Sequence, residues 1–317
     1  MNIPNNIEVE YVNCPLGHHI KDEVIINGSD LIYNIPGDFT VVQCPTCKLM
    51  RTNPRPTRNT IGYYYPDNYG PYLGTQVRQQ SISGIKKLAQ TILRSITNSN
   101  ATTLPPLAIG RMLEVGCASG AFMHEMVGQG WQVHGIEFSE KAAQSTAQLG
   151  YQVYIGSLES APPPDQQFDL IVMWMVLEHL HDPVNCLRKL SEWCKPGAWL
   201  VLSVPNAGSL EFRLFRDKWY ALQLPTHLYH FTPQTLEKTL LAGGWVLEKI
   251  YHQRTLSNFI GSLGWVLRDK GFIKLGKIFI DFPERGGPLT YILYPLAWLC
   301  SIFGQTGRMT IWAKVKA

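Results

Sequence analysis

The stretch from Arg111 to Gly120 constrains the fold of this chain more than any other segment. Its first five residues form an apolar strand pattern that includes an acid, and Gly116, Ala118 and Gly120 follow in a turn of small residues before a helical pattern begins. A strand that turns directly into a helix against a ligand leaves no room for Cβ atoms where backbone and ligand are closest. The stretch therefore predicts a nucleotide-type cofactor loop.

Two acids bear on which cofactor such a loop could hold, and Glu114 is the one that distinguishes between the candidates. Glu137 ends a second predicted strand, at a place where an acid grips the ribose of either a nicotinamide cofactor or S-adenosylmethionine. Glu114 lies at the end of the first strand, where a carboxylate suits the cationic amino group of S-adenosylmethionine and would repel a pyrophosphate. S-adenosylmethionine is therefore favoured. A nicotinamide oxidoreductase stays as the alternative, because Gly116-x-Ala118-x-x-Ala121 is also a degraded dinucleotide motif.

Further motifs extend this pattern over residues 110–250. They are Tyr-Ile-Gly-Ser-Leu-Glu at 154–159, the run from Phe168 to Leu180, and the run from Lys195 to Asn206. In their order they resemble the class I S-adenosylmethionine-dependent methyltransferases, with Ala118 replacing a glycine and Ser157 replacing an acid. The resemblance implies an α/β fold with a Rossmann-like seven-stranded sheet, whose last two strands we expect at residues 245–251 and 308–315.

The same resemblance implies the residues that contact the cofactor. Most follow the first four strands of the sheet. One comes from the tyrosine-rich segment at 63–69 before it, whose rings either fold over the cofactor or pack the two domains together. They are Glu114, Gly116, Ala118, Gly120, Glu137, Phe138, Ser157, Leu158, Met173, Trp174 and Tyr64.

A cysteine-rich segment near the amino terminus predicts a metal site. Cys14 and His18 precede a strand-like insert, and Cys44 and Cys47 follow it as a Cys-x2-Cys knuckle. The knuckle places two thiolates on one turn, and Cys14 with His18 or His19 completes a tetrahedral set typical of structural Zn²⁺. A metal-free hairpin with buried cysteines is the alternative.

This segment resembles the zinc-ribbon-like start of one bacterial branch of these methyltransferases. In that branch an Asn-Pro-x-Pro step and a tyrosine-rich segment follow the second cysteine pair, as they do here at residues 53–56 and 63–69. The first pair differs, because Gly17 stands where the branch has a cysteine. A small amino-terminal β subdomain is therefore expected.

We accordingly divide the chain into three parts. They are a zinc-ribbon-like segment at 1–58, an aromatic and basic helical linker at 59–105, and a methyltransferase domain at 106–317 with an apolar helical insertion at 256–304. The linker carries an apolar stripe typical of an amphipathic helix at Ile82, Ile85, Ala89, Ile92 and Ile96. The densest apolar part of the insertion is too short to span a membrane. It predicts a lid, a homodimer face or a peripheral membrane contact.

Methyl transfer from a sulfonium requires alignment and, for an oxygen or nitrogen acceptor, a base. Glu178 and His179 follow the fourth strand, and His227 and His230 lie in a loop after the fifth. All four are therefore predicted catalytic residues at the carboxyl ends of the strands. His179 and His227 are the two candidate bases. Structural roles are the alternative, as a cap or as histidines that bond the loop's own backbone. Coenzyme Q type methyltransferases suggest a divalent ion near Glu178, for which acids here are few.

Composition limits the partners. A net charge of +4 over 317 residues does not require a nucleic acid, and basic residues do not interleave with aromatic ones as an RNA-docking module would need. The amino terminus has no basic and apolar leader, and the seven cysteines fit a reducing compartment, so we predict the cytoplasm.

The resemblance implies a small-molecule acceptor, of the sugar or secondary-metabolite type. O-methylation is favoured by the two histidines, and N- or C-methylation stays open.

Overall fold

A computed structural model describes residues 3–66 and 99–316 of the chain. The predicted amphipathic helix around Ile82 to Ile96 lies outside these residues. Residues 67–69 of the tyrosine-rich segment lie outside them as well.

The strands and helices below are numbered in chain order. The strands are β1 (Val9–Glu10), β2 (Glu23–Ser29), β3 (Asp38–Gln43), β4 (Met50–Thr52), β5 (Arg55–Pro56), β6 (Arg111–Val115), β7 (Gln132–Glu137), β8 (Gln152–Ile155), β9 (Phe168–Trp174), β10 (Cys194–Pro205), β11 (Tyr229–His230), β12 (Trp245–His252) and β13 (Arg308–Val315). The helices are α1 (Ala121–Gly128), α2 (Glu140–Ala147), α3 (Pro183–Glu192), α4 (Leu210–Phe215), α5 (Pro233–Ala242), α6 (Ser257–Asp269), α7 (Ile273–Arg285), α8 (Leu289–Ile292) and α9 (Tyr294–Ile302).

Seven strands form the central sheet in the order β12-β13-β10-β9-β6-β7-β8. The five strands from β10 to β8 in that order run parallel, and β13 runs antiparallel to both of its neighbours. The middle strand β9 is apolar on both faces, and Leu170, Ile171 and Val172 are fully buried because helices cover a parallel sheet on both sides. The predicted seven-stranded α/β sheet is confirmed.

Local signals start several helices where the loops leave the sheet. Gly120 precedes α1 in the left-handed region, with φ of 72°. The Ser139 and Asp182 side chains cap α2 and α3, each accepting a backbone N–H of the first turn. Thr232 and Thr235 form a reciprocal capping box before α5, and Pro233 occupies its first position.

The amino-terminal segment forms a four-stranded antiparallel sheet in the order β11-β4-β3-β2. Its edge strand β11 comes from the loop between β10 and α5, and Tyr229 and His230 pair with Arg51 and Met50. Behind this sheet, Phe39, Val41 and Tyr64 share one apolar core with Trp219 and its neighbours. The zinc-ribbon-like sheet is therefore completed by a strand of the methyltransferase domain.

The predicted helical insertion before the last strand is also present, as α6 to α9. Helices α6 and α7 pack closely at Gly264 and Gly276, where a Cβ on either glycine would lie 2.6–2.9 Å from backbone atoms of the other helix. Among the described residues, no helix combines the length and the apolar character needed to cross a membrane.

Candidate active site

A cavity of about 760 Å³ opens at the carboxyl ends of the parallel strands. The loops after β6, β7, β8 and β9 form one side of it. The loop between β2 and β3, the tyrosine-rich segment and α7 form the other side, through Tyr33, Tyr65 and Glu284. This position is where ligands bind in open α/β sheets.

The loop after β6 approaches the cavity with its backbone. Gly116 has φ of 74° and Ala118 has φ of 45°, and both line the cavity. A Cβ on Gly116 would lie 2.5 Å from Val176 Cγ2, so this position accepts only glycine without displacement of Val176. The cradle therefore fits a ligand held against backbone atoms.

Glu137 lines the cavity at the end of β7 and is 4% exposed. One carboxylate oxygen accepts the backbone N–H of Ala118 and the other that of Ser139, both at 2.8 Å. A carboxylate has about four acceptor sites, so the side chain retains acceptor capacity toward the cavity. Burial raises the pKa of Glu137 above its ordinary value, although the backbone donors oppose this.

Other predicted cofactor residues surround the same space. Phe138, Ser157, Leu158 and Trp174 all line the cavity, Phe138 with an exposed ring. Ser157 also accepts the backbone N–H of Ser160 and so orders the turn after β8.

Three of the predicted cofactor residues, Glu114, Met173 and Gly120, do not line the cavity. Glu114 is 3% exposed; burial raises the pKa of its carboxyl well above the ordinary value, while the Met123 backbone N–H at the start of α1 lowers it. The carboxylate thus faces a helix N-terminus. Met173 is fully buried in the core because its side chain points to the opposite face of β9 from Trp174. Gly120 lies behind the loop, where a Cβ would meet Thr146 at 2.6 Å.

The tyrosine that faces the cavity is Tyr65, not Tyr64. A short 3-10 helix at Ile61–Tyr64 turns Tyr64 into the amino-terminal core, where its hydroxyl donates to the Pro36 carbonyl at 3.0 Å. Tyr65 then lies on the cavity wall with its hydroxyl 2.9 Å from His179 Nδ1. Tyr64 thus packs in the amino-terminal core, and the neighbouring Tyr65 reaches the cavity.

His179 and His227 meet at the cavity with ring centroids 4.7 Å apart. His179 Nδ1 donates to the Thr226 carbonyl at 2.9 Å, and His227 Nδ1 donates to the Ala221 carbonyl at 2.8 Å. In these tautomers each Nε2 carries a lone pair. Burial lowers the pKa of His179 to about 4. Burial, together with His179, also lowers the pKa of His227, so both rings are neutral bases near neutral pH.

Glu178 lies behind the two histidines and is fully buried. Both of its carboxyl oxygens lack a hydrogen-bond partner among the described residues, and burial raises its pKa to about 8. One donor atom each from Glu178, His179 and His227 lies within 4.8 Å of the others. The predicted trio is thus assembled into one cluster.

The fourth predicted catalytic residue, His230, does not face the cavity. It is 2% exposed on β11, with Nε2 3.4 Å from the Thr52 hydroxyl. Thr52 in turn donates its hydroxyl to the His227 carbonyl at 2.8 Å and its backbone N–H to Leu228. His230 is therefore buried away from the cavity, and the bonds from Thr52 hold the backbone of His227 and Leu228.

The four predicted metal ligands converge in the amino-terminal segment, and we call Cys14, His18, Cys44 and Cys47 the ribbon cluster. Cys14 Sγ lies 3.4 Å from Cys47 Sγ and 3.5 Å from His18 Nδ1, which in turn lies 3.6 Å from Cys44 Sγ. These separations suit ligands around one tetrahedral Zn²⁺. His18, rather than His19, is the residue beside the sulfurs.

Several residues of the cavity were not predicted from the sequence. Tyr33 comes from the loop between β2 and β3, Gln223 and Tyr220 from the loop before β11, Glu284 from α7, and Arg308 from the first position of β13. Arg308 alone had a signal, as the charge at the first position of the last strand. The others depend on tertiary packing, which local sequence patterns do not report.

Comparison with known proteins gives the same family. A family model described as a methyltransferase domain matches residues 76–250, more than half of the chain. The ubiquinone biosynthesis O-methyltransferase of Thiobacillus denitrificans is 31% identical over 120 residues, 35% of this chain and 51% of that protein. The protein of the same name from Azoarcus sp. is 32% identical over 136 residues, 40% of this chain and 55% of that protein.

The chain therefore spans about half the length of the curated relatives that it matches. An S-adenosylmethionine dependent methyltransferase structure from Mesorhizobium loti is 16% identical, with a TM-score of 0.46, over 71% of this chain and 96% of that chain. The cofactor loop, the strand order and the family match together identify this chain as a member of the class I S-adenosylmethionine-dependent methyltransferases.

Proposed function

We propose that this enzyme O-methylates a small-molecule acceptor, with His227 as the general base. The observation that carries the proposal is the buried histidine pair, which offers neutral Nε2 atoms inside the cavity while both Nδ1 atoms are held by backbone carbonyls. A hydroxyl acceptor must lose a proton during transfer, and a positioned neutral imidazole takes it.

The cofactor, when bound, supplies an electrophilic methyl group on a sulfonium. The backbone of Gly116 to Ala118 would hold its methionine part, and the Glu137 carboxylate would accept the ribose hydroxyls. Ser157, Leu158 and Phe138 would line the adenine. Glu114 would order this loop from behind rather than touch the amino group.

His227 takes the acceptor proton at Nε2, and the Ala221 carbonyl keeps the ring in the required tautomer. Glu178 lies behind the two histidines in the same cluster, and its raised pKa keeps the carboxyl largely protonated near neutral pH, so we assign it a positioning role and not that of a counter-charge. We assign His179 a supporting role, since its Nδ1 also contacts the Tyr65 hydroxyl and its ring packs against that of His227.

The curated relatives are named for O-methylation in ubiquinone biosynthesis, which supports an oxygen acceptor. We propose a small hydroxylated molecule of the sugar or secondary-metabolite type. N- and C-methylation are the alternatives that product analysis must separate.

We further propose that the ribbon cluster holds a structural Zn²⁺. Three thiolates and one imidazole close a four-ligand shell, which leaves no open position for substrate. The cluster would stabilise the segment 1–58 as a unit beside the linker 59–105 and the domain 106–317. Thiolate ligands of this kind suit a reducing compartment such as the cytoplasm.

The insertion at 256–304 is proposed to form a wall of the active site and a homodimer face. Pro283 and Glu284 of α7 line the cavity, which supports the first role. Large apolar side chains exposed on α7 to α9 support the second, with Ile292 71% and Phe303 68% exposed.

The test is transfer of labelled methyl from S-adenosylmethionine to a panel of catechols, hydroxyacids and sugars, with calorimetry of S-adenosylhomocysteine and NADH alongside. We expect S-adenosylhomocysteine alone to bind and the labelled product to be an ether or ester. A product methylated at nitrogen or carbon would overturn O-methylation. Turnover that appears only with an added divalent cation and disappears with EDTA would assign the cluster at Glu178 to metal binding instead.

A further inference from the structure

Arg308 differs from the other inward-facing arginines in what surrounds it. Arg51, Arg55 and Arg111 are buried, and each contacts a carboxylate, at 2.6, 2.8 and 3.0 Å. Arg308 lies on the cavity wall and has no ion pair among the described residues. An enclosed guanidinium normally has a carboxylate or phosphate partner.

The hydrogen bonds of Arg308 are incomplete as well. Its Nη2 donates to Asn258 Oδ1 at 3.0 Å. Its Nε is buried without a partner among the described residues. A guanidinium offers five N–H donors in a planar fork, so donor capacity is left over at the cavity.

The nearest acids do not neutralise this cation. Glu178 and Glu211 influence Arg308, but neither lies within ion-pair distance. Burial raises the pKa of Glu178 to about 8 and that of Glu211 to about 7, so both hold a proton for much of the time near neutral pH. Arg308 therefore keeps an uncompensated positive charge, since a guanidinium does not lose its proton in this range.

Arg308 shares the cavity with the proposed base. His227 and Arg308 both line it, and the charge of Arg308 contributes to the low pKa of His227. The second arginine on the wall, Arg58, is about half exposed and lies 3.8 Å from Glu159. Of the two arginines on the cavity wall, Arg308 is thus the one that is enclosed and has no carboxylate partner among the described residues.

We propose that Arg308 binds an anionic group of the methyl acceptor, a carboxylate or a phosphate, and so selects hydroxylated anions as substrates. The proposal rests on the proposed function in that it takes the cavity as the acceptor site. A planar guanidinium binds either anion through paired N–H donors. The charge holds one end of the acceptor while its hydroxyl meets His227.

The test is a binding experiment that does not depend on turnover. Protein saturated with S-adenosylhomocysteine is titrated by calorimetry with benzoate, phenyl phosphate and their uncharged counterparts benzamide and phenol. We expect at least one anion to bind about tenfold or more tightly than its counterpart, and the stronger anion distinguishes carboxylate from phosphate. No preference for either anion would overturn the proposal.

Variants assign the preference to Arg308. Arg308→Gln should abolish it, Arg308→Lys should keep part of it, and the control Arg58→Gln should leave it unchanged. Circular dichroism and S-adenosylhomocysteine affinity check that each variant folds; if Arg308→Gln does not fold, Arg308→Lys is compared with wild type for the loss of paired binding. A preference that persists in Arg308→Gln would contradict the assignment.

The methionine part of the cofactor also carries a carboxylate, which Arg308 could bind in place of an acceptor anion. One further measurement distinguishes the two ligands. We expect the affinity for S-adenosylhomocysteine to be the same in Arg308→Gln and wild type. A tenfold weaker affinity in a folded variant would mean that Arg308 binds the cofactor, and would overturn the proposal. Failure of the proposed function is distinguishable, because it would appear as absent methyl transfer despite intact anion binding.

Discussion

At the scale of single residues, main-chain carbonyls determine what the active-site histidines can do. Thr226 and Ala221 accept the Nδ1 protons of His179 and His227, and this leaves the other ring nitrogen as a base. Neither carbonyl is visible in a sequence motif. The residue types at the site could be predicted, whereas the tautomers could not, because they depend on where two loops place their backbones.

His227→Gln should lower turnover by about 100-fold or more, because it removes the proton acceptor. The affinity for S-adenosylhomocysteine should not change, since His227 is proposed to contact only the acceptor. Methyl-transfer kinetics and calorimetry measure the two quantities. His124→Gln, on α1 away from the cavity, is the control. Equal losses in both variants would contradict a base role for His227.

Glu137→Ala should weaken S-adenosylhomocysteine binding by about 1.5–3 kcal/mol, the cost of losing charge-assisted hydrogen bonds. The same change also removes the acceptor of the Ala118 and Ser139 N–H groups. Calorimetry gives the affinity, and the exposed Glu140 supplies the control Glu140→Ala. Unchanged binding would exclude Glu137 from the cofactor site.

Glu178 should make stability depend on pH. Its pKa is about 8 in the fold, against an ordinary value of 4.5. The folded state therefore holds a proton that the unfolded state releases, so the stability from this group is full below about pH 4.5 and is lost as pH rises through 8. Glu178→Gln should flatten this decline in urea unfolding measured from about pH 5 to 9. A decline as steep as in wild type, or an equal change in exposed Glu192→Gln, would contradict the raised pKa.

At the scale of elements, the parts of the fold that could be predicted depend on local sequence, and the parts that could not depend on contacts between distant residues. The strands from β6 to β10 follow short motifs with local glycine, acid and apolar patterns, and they lie where these motifs predict. Strand β11 has two residues, and its partner β4 lies far away in the sequence. No local pattern specifies such a strand, and the same holds for the one-residue difference between Tyr64 and Tyr65, which a 3-10 turn decides.

Cys44→Ser and Cys47→Ser should each reduce bound zinc, measured by elemental analysis, because a structural site needs all four ligands. Turnover should fall more than cofactor affinity, since β4 begins three residues after Cys47 and pairs with the strand that follows His227. Buried Cys186, outside the ribbon cluster, gives the control Cys186→Ser. Wild-type zinc content in both ribbon variants would refute the ribbon assignment.

At the scale of the whole molecule, the insertion presents the largest concentration of exposed apolar side chains. Those on α7 to α9 include Ile278, Ile292, Leu296, Trp298 and Phe303. Residues 286–307 carry no charged side chain. Such a surface is normally covered in solution.

We expect the protein to sediment as a dimer, and Ile292→Glu with Phe303→Glu to shift it to a monomer, because a charge buried in an apolar interface is strongly unfavourable. Analytical ultracentrifugation measures the mass. Leu149→Glu, at an exposed apolar residue outside the insertion, is the control. If the wild-type protein instead sediments as a monomer and floats with anionic vesicles, this apolar surface is a membrane contact and not a dimer interface.

The pairing of β4 with β11 limits how this chain can be shortened or recombined. A fragment that begins at residue 106 would retain β11 without its partner, and Thr52 would no longer hold the His227 carbonyl. The uncovered edge would invite intermolecular strand pairing and aggregation. The amino-terminal sheet therefore cannot be deleted without exposing β11. Exchanging the sheet between relatives would require β11 and its loop to be exchanged with it.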